Sequence, residues 1–421
     1  MPYLDLIKQI EIGISEDMAW LRAMQVFTKD RALDWLIKLL EVRHNLRGDA
    51  ASFLYHGGLY LITQDIGAGL YRKILELMPR DSAFLGIIEC LAGYEAAANL
   101  DLDTTVKRLR IGFYNAFNAA KTAFTADTKH TGDMIELARE ANLLEPTSYT
   151  RAGFSAPTLP NIQWLGPNRG PPRRSPLILS VCDAQYFQTY SPRFLSSLKR
   201  ACPEFDACIH VINPDAETIS SLTTLTENRP ELRISIEHGP HHKTYFASRR
   251  FLLAGEILDH FGCSIAIIDF DSVLHDEFHI LLDRVMTVDI AYSRTASEVR
   301  PTSIIKAAFL FVGTSEIARR FLRHTTDYLI GKLGEDPLLM VDQVALFRSV
   351  CLMKGYPGII DVSQHVAINP LTALGADHIL SFDDRVAQRG SVSSTLQFSR
   401  DMKPIYSVSC NVWADAGLSP N

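Results

Sequence analysis

Proline divides this chain more sharply than any other residue. A single proline, Pro79, lies between Tyr3 and Glu145, whereas six of the 20 prolines fall between Pro157 and Pro176. Proline lacks an amide hydrogen and clashes with the preceding helical turn, so the first stretch can be helical throughout and the second cannot. The first stretch also has the apolar spacing of helices. Leu33, Leu36, Ile37 and Leu40 fall at i, i+3, i+4, i+7, as do Phe84, Ile87, Ile88 and Leu91, and Val106, Leu109, Phe113 and Phe117 form a similar stripe. Each stripe needs cover, which predicts an all-helical domain over residues 1–145.

Turns at Gly57-Gly58 and Pro79-Arg80-Asp81 would separate antiparallel helix pairs. Such pairs are similar to tetratricopeptide (TPR-like) units, although no clean repeat of about 34 residues is present. An irregular bundle used for a protein partner or for self-association satisfies the same pattern. Residues 146–175 follow as a connector rich in proline, glycine and arginine, including Pro157, Pro160, Gly166, Gly170 and Pro172. Its Arg169, Arg173 and Arg174 read either as solvated linker residues or as a phosphate-binding spot.

Beyond Pro176 the texture changes to short apolar runs: Leu177–Val181, Ile209–Ile212, Ile234–Ile236, Ile265–Ile268 and Ala308–Val312. Amphipathic stretches such as Pro192–Ala201 and Thr244–His260 separate them. Alternating buried strands and helices predict an α/β domain over residues 176–421, with a mostly parallel, Rossmann-like sheet covered by helices on both faces.

Bulk properties exclude several classes of partner. Lys and Arg number 42 against 48 Asp and Glu, a net charge of -6, so nothing in the overall charge recruits nucleic acid or an anionic membrane. Seven cysteines are scattered without a CxxC pair, which argues against a disulfide framework or a zinc ribbon and for a reducing compartment. The N-terminus lacks a basic segment followed by an apolar one, and no stretch approaches about 18 apolar residues in a row. A cytoplasmic protein without a transmembrane segment is the expectation.

In an α/β sheet, ligands gather beyond the carboxyl ends of the strands. Three such places are polar: Cys182-Asp183-Ala184-Gln185-Tyr186 after the first run, Asp269-Phe270-Asp271-Ser272 after the fourth, and Asp342-Gln343 at the start of a later helix. If extended geometry continues through residue 271, the two carboxylates of Asp269 and Asp271 share a side and can face one Mg²⁺ or Mn²⁺. A cation there would neutralise a departing diphosphate. Asp101-Leu102-Asp103 has the same spacing but precedes a helical stripe, where acids cap a helix and oppose its dipole. The difference lies in the context, a buried strand before Asp269 and the helical pattern Phe278, Leu281, Leu282 after it.

The segment Ile265–Leu282 and the opening unit Leu177–Ile212 together resemble the metal-dependent GT-A glycosyltransferases, which use nucleotide-diphosphate sugars and carry an Asp-x-Asp (DxD) motif. The resemblance implies a GT-A fold and transfer of a sugar from a nucleotide-sugar donor, a UDP-sugar foremost, to a saccharide or protein acceptor. It implies Asp271 as principal metal ligand, with Asp269 on the metal or the donor ribose. Cys182, Asp183 and Tyr186 would line the nucleoside pocket, and Arg249 or Arg250 would assist the nucleotide. Asp342 and Gln343 would touch the transferred sugar, with Asp342 as base if configuration inverts. His365 would be a late metal ligand, although the His-x-x-Gly surroundings of some relatives are missing.

His275 and His279, at i and i+4, and the pair His241-His242 lack the HExxH frame that would mark zinc ligands. A haloacid-dehalogenase-like phosphatase is the enzymatic rival: Ile265–Val273 satisfies its opening motif with Asp269 as nucleophile, and Asp383-Asp384 would mimic its metal motif. That motif belongs on the first strand of its domain, whereas three strand-like runs come before it here. A non-catalytic scaffold built on the helical segment is the third reading.

Overall fold

Among the described residues, the N-terminal segment contains helices α1 (Asp17–Lys29), α2 (Leu33–Arg47), α3 (Ala50–Thr63), α4 (Leu70–Leu77), α5 (Leu85–Ala98) and α6 (Leu102–Ala123). The computed structural model describes residues 3, 4, 7, 17–80, 82, 84–123, 143–144, 159–167, 169–240, 243–274, 276–295, 298–333 and 340–364. Helix α5 is apolar or small on nearly every side, and each residue from Gly86 to Ala97 is buried, which makes it the axis of the group. It packs against α3, α4 and α6.

Gly57 and Gly58, expected in a turn, lie inside α3. Their role is clearance: a Cβ on Gly58 would stand 2.4 Å from a methyl of Leu91 on α5. Gly112 does the same for the α5–α6 crossing, where a Cβ would come within 2.7 Å of the Cys90 amide nitrogen. Asp101, by contrast, is a helix cap, as its context predicts: its Oδ1 accepts from the Thr104 amide at 3.1 Å.

The second segment contains strands β1 (Gln163–Leu165), β2 (Leu177–Asp183), β3 (Ala207–Ile212), β4 (Leu232–Glu237), β5 (Ile265–Ile268), β6 (Ile290–Arg294), β7 (Ile305–Val312) and β8 (Ile359–Asp361). Helices α7 (Ala184–Ala201), α8 (Ala216–Asn228), α9 (Lys243–Phe261), α10 (Phe278–Val285), α11 (Glu316–Leu333) and α12 (Val341–Leu352) connect or follow them. One sheet results, in the order β1-β4-β3-β2-β5-β7-β6-β8. The sheet is mixed. Strands β4, β3, β2 and β5 are parallel, but β7 runs antiparallel to both β5 and β6, and β1 antiparallel to β4.

The chain builds outward from β2 through β3 to β4, then returns to lay β5 on the other side of β2. The carboxyl ends of β2 and β5 therefore flank the point where the order reverses, the place in an open α/β sheet where a crevice forms. Side chains alternate across the sheet. Ile265 and Ile267 join Phe251, Leu253 and Ile257 of α9 on one face, while Ala266 and Ile268 join Phe194 of α7 and Phe278 of α10 on the other.

The described part of the connector, from residue 159 onward, is fastened to the sheet. It supplies edge strand β1, and Asp206, just before β3, accepts from Arg173 Nε at 2.6 Å and from Arg233 Nη1 at 2.6 Å. Arg174 pairs with Asp283 at 2.6 Å, and Arg169 donates to the Arg229 carbonyl at 3.0 Å. All three arginines thus have partners within the protein, and Arg173 is held where β3 begins, the end opposite the carboxyl mouth.

The face of the sheet covered by α9, α11 and α12 is continuous with the buried side chains of the helical segment. Polar ties cross the same junction: Lys354 Nζ donates to the Asn99 carbonyl at 2.7 Å, Arg294 Nη2 to the Ala98 carbonyl at 2.6 Å, and Tyr328 OH to the Leu143 carbonyl. Among the described residues no helix is long and apolar enough to cross a membrane.

Candidate functional site

Strand β5 is short because its sequence is: four buried apolar residues, Ile-Ala-Ile-Ile, end at Asp269. The extended geometry expected through residue 271 stops at Asp269: the Ser272 amide donates to the Asp269 carbonyl at 3.2 Å, closing a turn over Phe270 and Asp271. Phe270 packs on the α7 side, its ring 4.8 Å from Phe194 and 6.0 Å from Phe187. Asp269 lies on the α9 side, where the Arg250 guanidinium meets it, and Asp271 sits in the turn beyond, near enough for its charge to reach that arginine. Arg250 of α9 donates to Asp269 Oδ1 from Nη1 and to Asp342 Oδ2 from Nη2, the latter at 3.0 Å.

Three sequence-predicted positions, Asp269, Asp342 and Arg250, so form one ion-paired group, with Asp271 close enough for its charge to act on the arginine. Burial pulls the Arg250 guanidinium down from its ordinary range, and the carboxylates of Asp342 and Asp271 hold it up. Burial pushes the Asp271 carboxyl above its ordinary value, against the attraction of Arg250. Asp342 reaches the group because it lies in the first turn of α12, which starts after Met340 in a left-handed conformation (φ 68°).

Arg249, one residue earlier on α9, points elsewhere. Successive helical residues diverge by about 100°, so Arg249 reaches the end of β4, where its Nε and Nη2 lie 2.9 and 2.8 Å from Glu237 Oε2. Neither arginine is on an exposed helix face; Arg249 is 0% and Arg250 7% exposed. Tyr245 OH also donates to Glu237 at 2.7 Å, and His210 Nε2 stands 3.3 Å from it. Although burial opposes ionisation, His210 and Arg249 bring the Glu237 carboxyl down to about 2. This braced cluster was not foreseen from sequence, since Glu237 and His210 sit in strand runs that read simply as apolar.

Asp183 ends β2 at the switch point and caps α7, its Oδ1 accepting from the Tyr186 amide at 2.7 Å. Tyr186 is 44% exposed, its ring 5.0 Å from Tyr190. Cys182 belongs instead to the core on the α7 side, 3% exposed, with burial and the neighbouring Asp183 charge pushing its thiol up. Strand alternation turns it away from Asp269, so its side chain does not line this mouth. Gln343 follows Asp342 and is partly buried. His279 rests on the Asp276 carbonyl at 2.9 Å, an ordinary local contact. His241, His242, His275, His365, Asp383 and Asp384 lie outside the described residues. Parallel strands β2, β3 and β4 precede β5, so Asp269 does not follow a first strand, as the phosphatase reading requires.

The donor set suits a hard divalent cation in its chemistry. Two carboxylates lie at the end of β5 and in the turn after it, and the half-buried Asp271, whose carboxyl is raised, is a group that a cation would relieve. Among the described residues no cluster of three or more His, Cys, Asp or Glu side chains gathers as a complete metal shell.

No family model matches this chain, and no curated protein matches it. Among solved structures, the apo structure of the bifunctional glycosyltransferase WbbM aligns with a TM-score of 0.30 and 13% identity, over 47% of this chain and 40% of the WbbM chain. The match thus takes in well under half of that protein's length.

Proposed function

We propose that the mouth between β2 and β5 is the active site of a GT-A-type glycosyltransferase that moves a sugar from a nucleotide-diphosphate donor, a UDP-sugar foremost, to a saccharide or protein acceptor. The observation that supports this reading is the position of Asp269 at the end of β5 and of Asp271 in the turn after it, beside Arg250 at the reversal of strand order. Asp271, with Asp269, would hold Mn²⁺ or Mg²⁺, and the chemistry supplied by that ion is neutralisation of the diphosphate as it departs.

The chain's own groups would do the rest. Asp183 and Tyr186, at the start of α7, border the nucleoside side. Arg250 fixes Asp269 against Asp342 and contributes positive charge where the diphosphate would lie. Asp342 is nearly buried and bonded to Arg250, an arrangement that fits orientation of the sugar, with Gln343 beside it. The helical segment, TPR-like or irregular, would present the acceptor or a protein partner.

The test is binding and slow hydrolysis of UDP-glucose, UDP-galactose and UDP-N-acetylglucosamine by the purified full chain with and without Mn²⁺. The expected result is Mn²⁺-dependent UDP release, abolished by EDTA and reduced at least ~100-fold in Asp271→Asn. Phosphate release from p-nitrophenyl phosphate with no UDP release would favour the phosphatase. Neither activity, with no binding of any nucleotide sugar, would favour the scaffold.

A further inference from the structure

Strand β7 runs antiparallel to β5 with Phe309 opposite Ile268, and the Asp269 amide donates to the Ala308 carbonyl at 3.3 Å. The opening residues of β7 therefore lie alongside the stretch that follows β5. Lys306 is among them. On its other side β7 pairs with β6, where Tyr292 faces Leu310 but the next residue, Ser293, faces Lys306. Ala307, Ala308 and Phe309 are bulged out of that ladder, a device that re-aims side chains next to sites.

Lys306 is half-buried. Among the described residues no carboxylate or hydrogen-bond acceptor pairs with it, and burial is the sole influence on its charge, pulling its ammonium below the ordinary lysine range. Its cross-strand partner Ser293 is fully buried, and among the described residues the Ser293 hydroxyl has no hydrogen-bond partner. Cross-strand partners have Cβ atoms about 5 Å apart. A buried hydroxyl without a partner and an ammonium without a counter-charge each cost stability, so two such groups side by side at a strand mouth describe a site built for something else. Arg249, at the end of β4, and Arg250, beside β5, already have carboxylates, and Arg294, next to Ser293, donates to the Ala98 carbonyl.

We propose that Lys306 and Ser293 form a subsite for an anionic group, a carboxylate or phosphate, carried by the substrate. The proposal rests on the sugar-transfer reading for the rest of the site and adds the chemical class of the substrate. The ammonium supplies charge and the hydroxyl one directed hydrogen bond, the combination that holds one oxyanion. A neutral hexose can hydrogen-bond to both groups but leaves the ammonium without a counter-charge. The anion can belong to the donor sugar, as in a hexuronate, or to the acceptor.

Isothermal titration of the full chain in Mn²⁺ with UDP, UDP-glucose and UDP-glucuronate separates these sources. A donor anion gives UDP-glucuronate at least ~10-fold tighter binding than UDP-glucose. An acceptor anion gives equal donors, with inorganic phosphate or free glucuronate binding to the UDP-saturated protein. In either case Lys306→Met removes the anion preference, leaves UDP binding within ~2-fold, and is rescued by Lys306→Arg. Thermal unfolding of Lys306→Met, expected at or above the wild-type midpoint, controls for folding. The proposal is overturned if Lys306→Met, folded, binds UDP-glucuronate, phosphate and glucuronate as the wild type does, or if the wild type binds none of them. Lys306-dependent anion binding without any UDP binding would instead leave the subsite standing and remove the sugar-transfer reading.

Discussion

Arg250 on α9 donates from Nη2 to Asp342 Oδ2 across 3.0 Å and so ties the first turn of α12 to the residue that follows β5, which its Nη1 also binds. Both side chains of this pair are only 8% exposed. Removing the guanidinium strands two carboxylates away from bulk water, a change that costs more than the pair itself is worth. Arg250→Met is expected to lower unfolding free energy by about 3–5 kcal/mol. Adding Asp342→Asn should recover part of that loss. Urea denaturation of the two single variants and the double gives the coupling, expected above about 1 kcal/mol; additive losses would mean that the pair does not act as a unit.

Glu237 predicts acid sensitivity. Its carboxyl is held at about 2 against an ordinary 4.5, with His210 and Arg249 outweighing burial. A depressed carboxylate stabilises the fold above its ordinary pKa, and the contribution is lost as pH falls through the folded value. The shift corresponds to about 3 kcal/mol. Glu237→Gln should therefore be less stable than the wild type at pH 7, with the gap closing between about pH 4.5 and pH 2. Urea midpoints across that range check it.

Glu95 on α5 predicts the opposite slope. Burial raises its carboxyl from 4.5 to about 7, although the Leu70 amide pulls it down. Stability linked to this proton is complete below pH 4.5 and is lost as pH rises through about 7. Glu95→Gln is expected to be more stable than the wild type at pH 8 by about 2–3 kcal/mol, and equal to it near pH 4. Thermal melts at the two pH values decide the matter, and a constant difference would rule out protonation as the cause.

Gly112 sets the α5–α6 distance. A Cβ there would stand 2.7 Å from the Cys90 nitrogen and 2.8 Å from the Gly86 carbonyl oxygen, both backbone atoms that cannot swing aside. Gly112→Ala is predicted to destabilise by about 1–3 kcal/mol despite alanine's better helix propensity. Chemical denaturation measures it; a stabilised variant would show that the helices separate at no cost.

The strands that were readable from sequence are those buried on both faces. Ile265–Ile268 matches its apolar run residue for residue, because a central strand needs apolar side chains on both sides. Strand β1, Gln163–Leu165, is an exposed-to-half-buried edge inside a proline-rich segment, and β8, Ile359–Asp361, is three half-buried residues; neither is long enough to show a period. The acidic pair and Asp342 were readable because they follow apolar runs. Arg249 and Arg250 were readable only as alternatives, because adjacent residues on a helix carry no record of which strand end each will meet. Lys306 lies just before the run Ala308–Val312 that reads as a strand, and its lack of a partner among the described residues accompanies a bulge that spacing does not reveal.

The ties from Lys354 and Arg294 to the carbonyls of Asn99 and Ala98 bear on any effort to trim the protein. Residues from both sides of the connector complete one dry layer there, so a fragment beginning at residue 176 would carry a raw oily flank and clump. Activity in such a fragment should be judged only beside its missing helices, supplied on the same polypeptide or co-expressed.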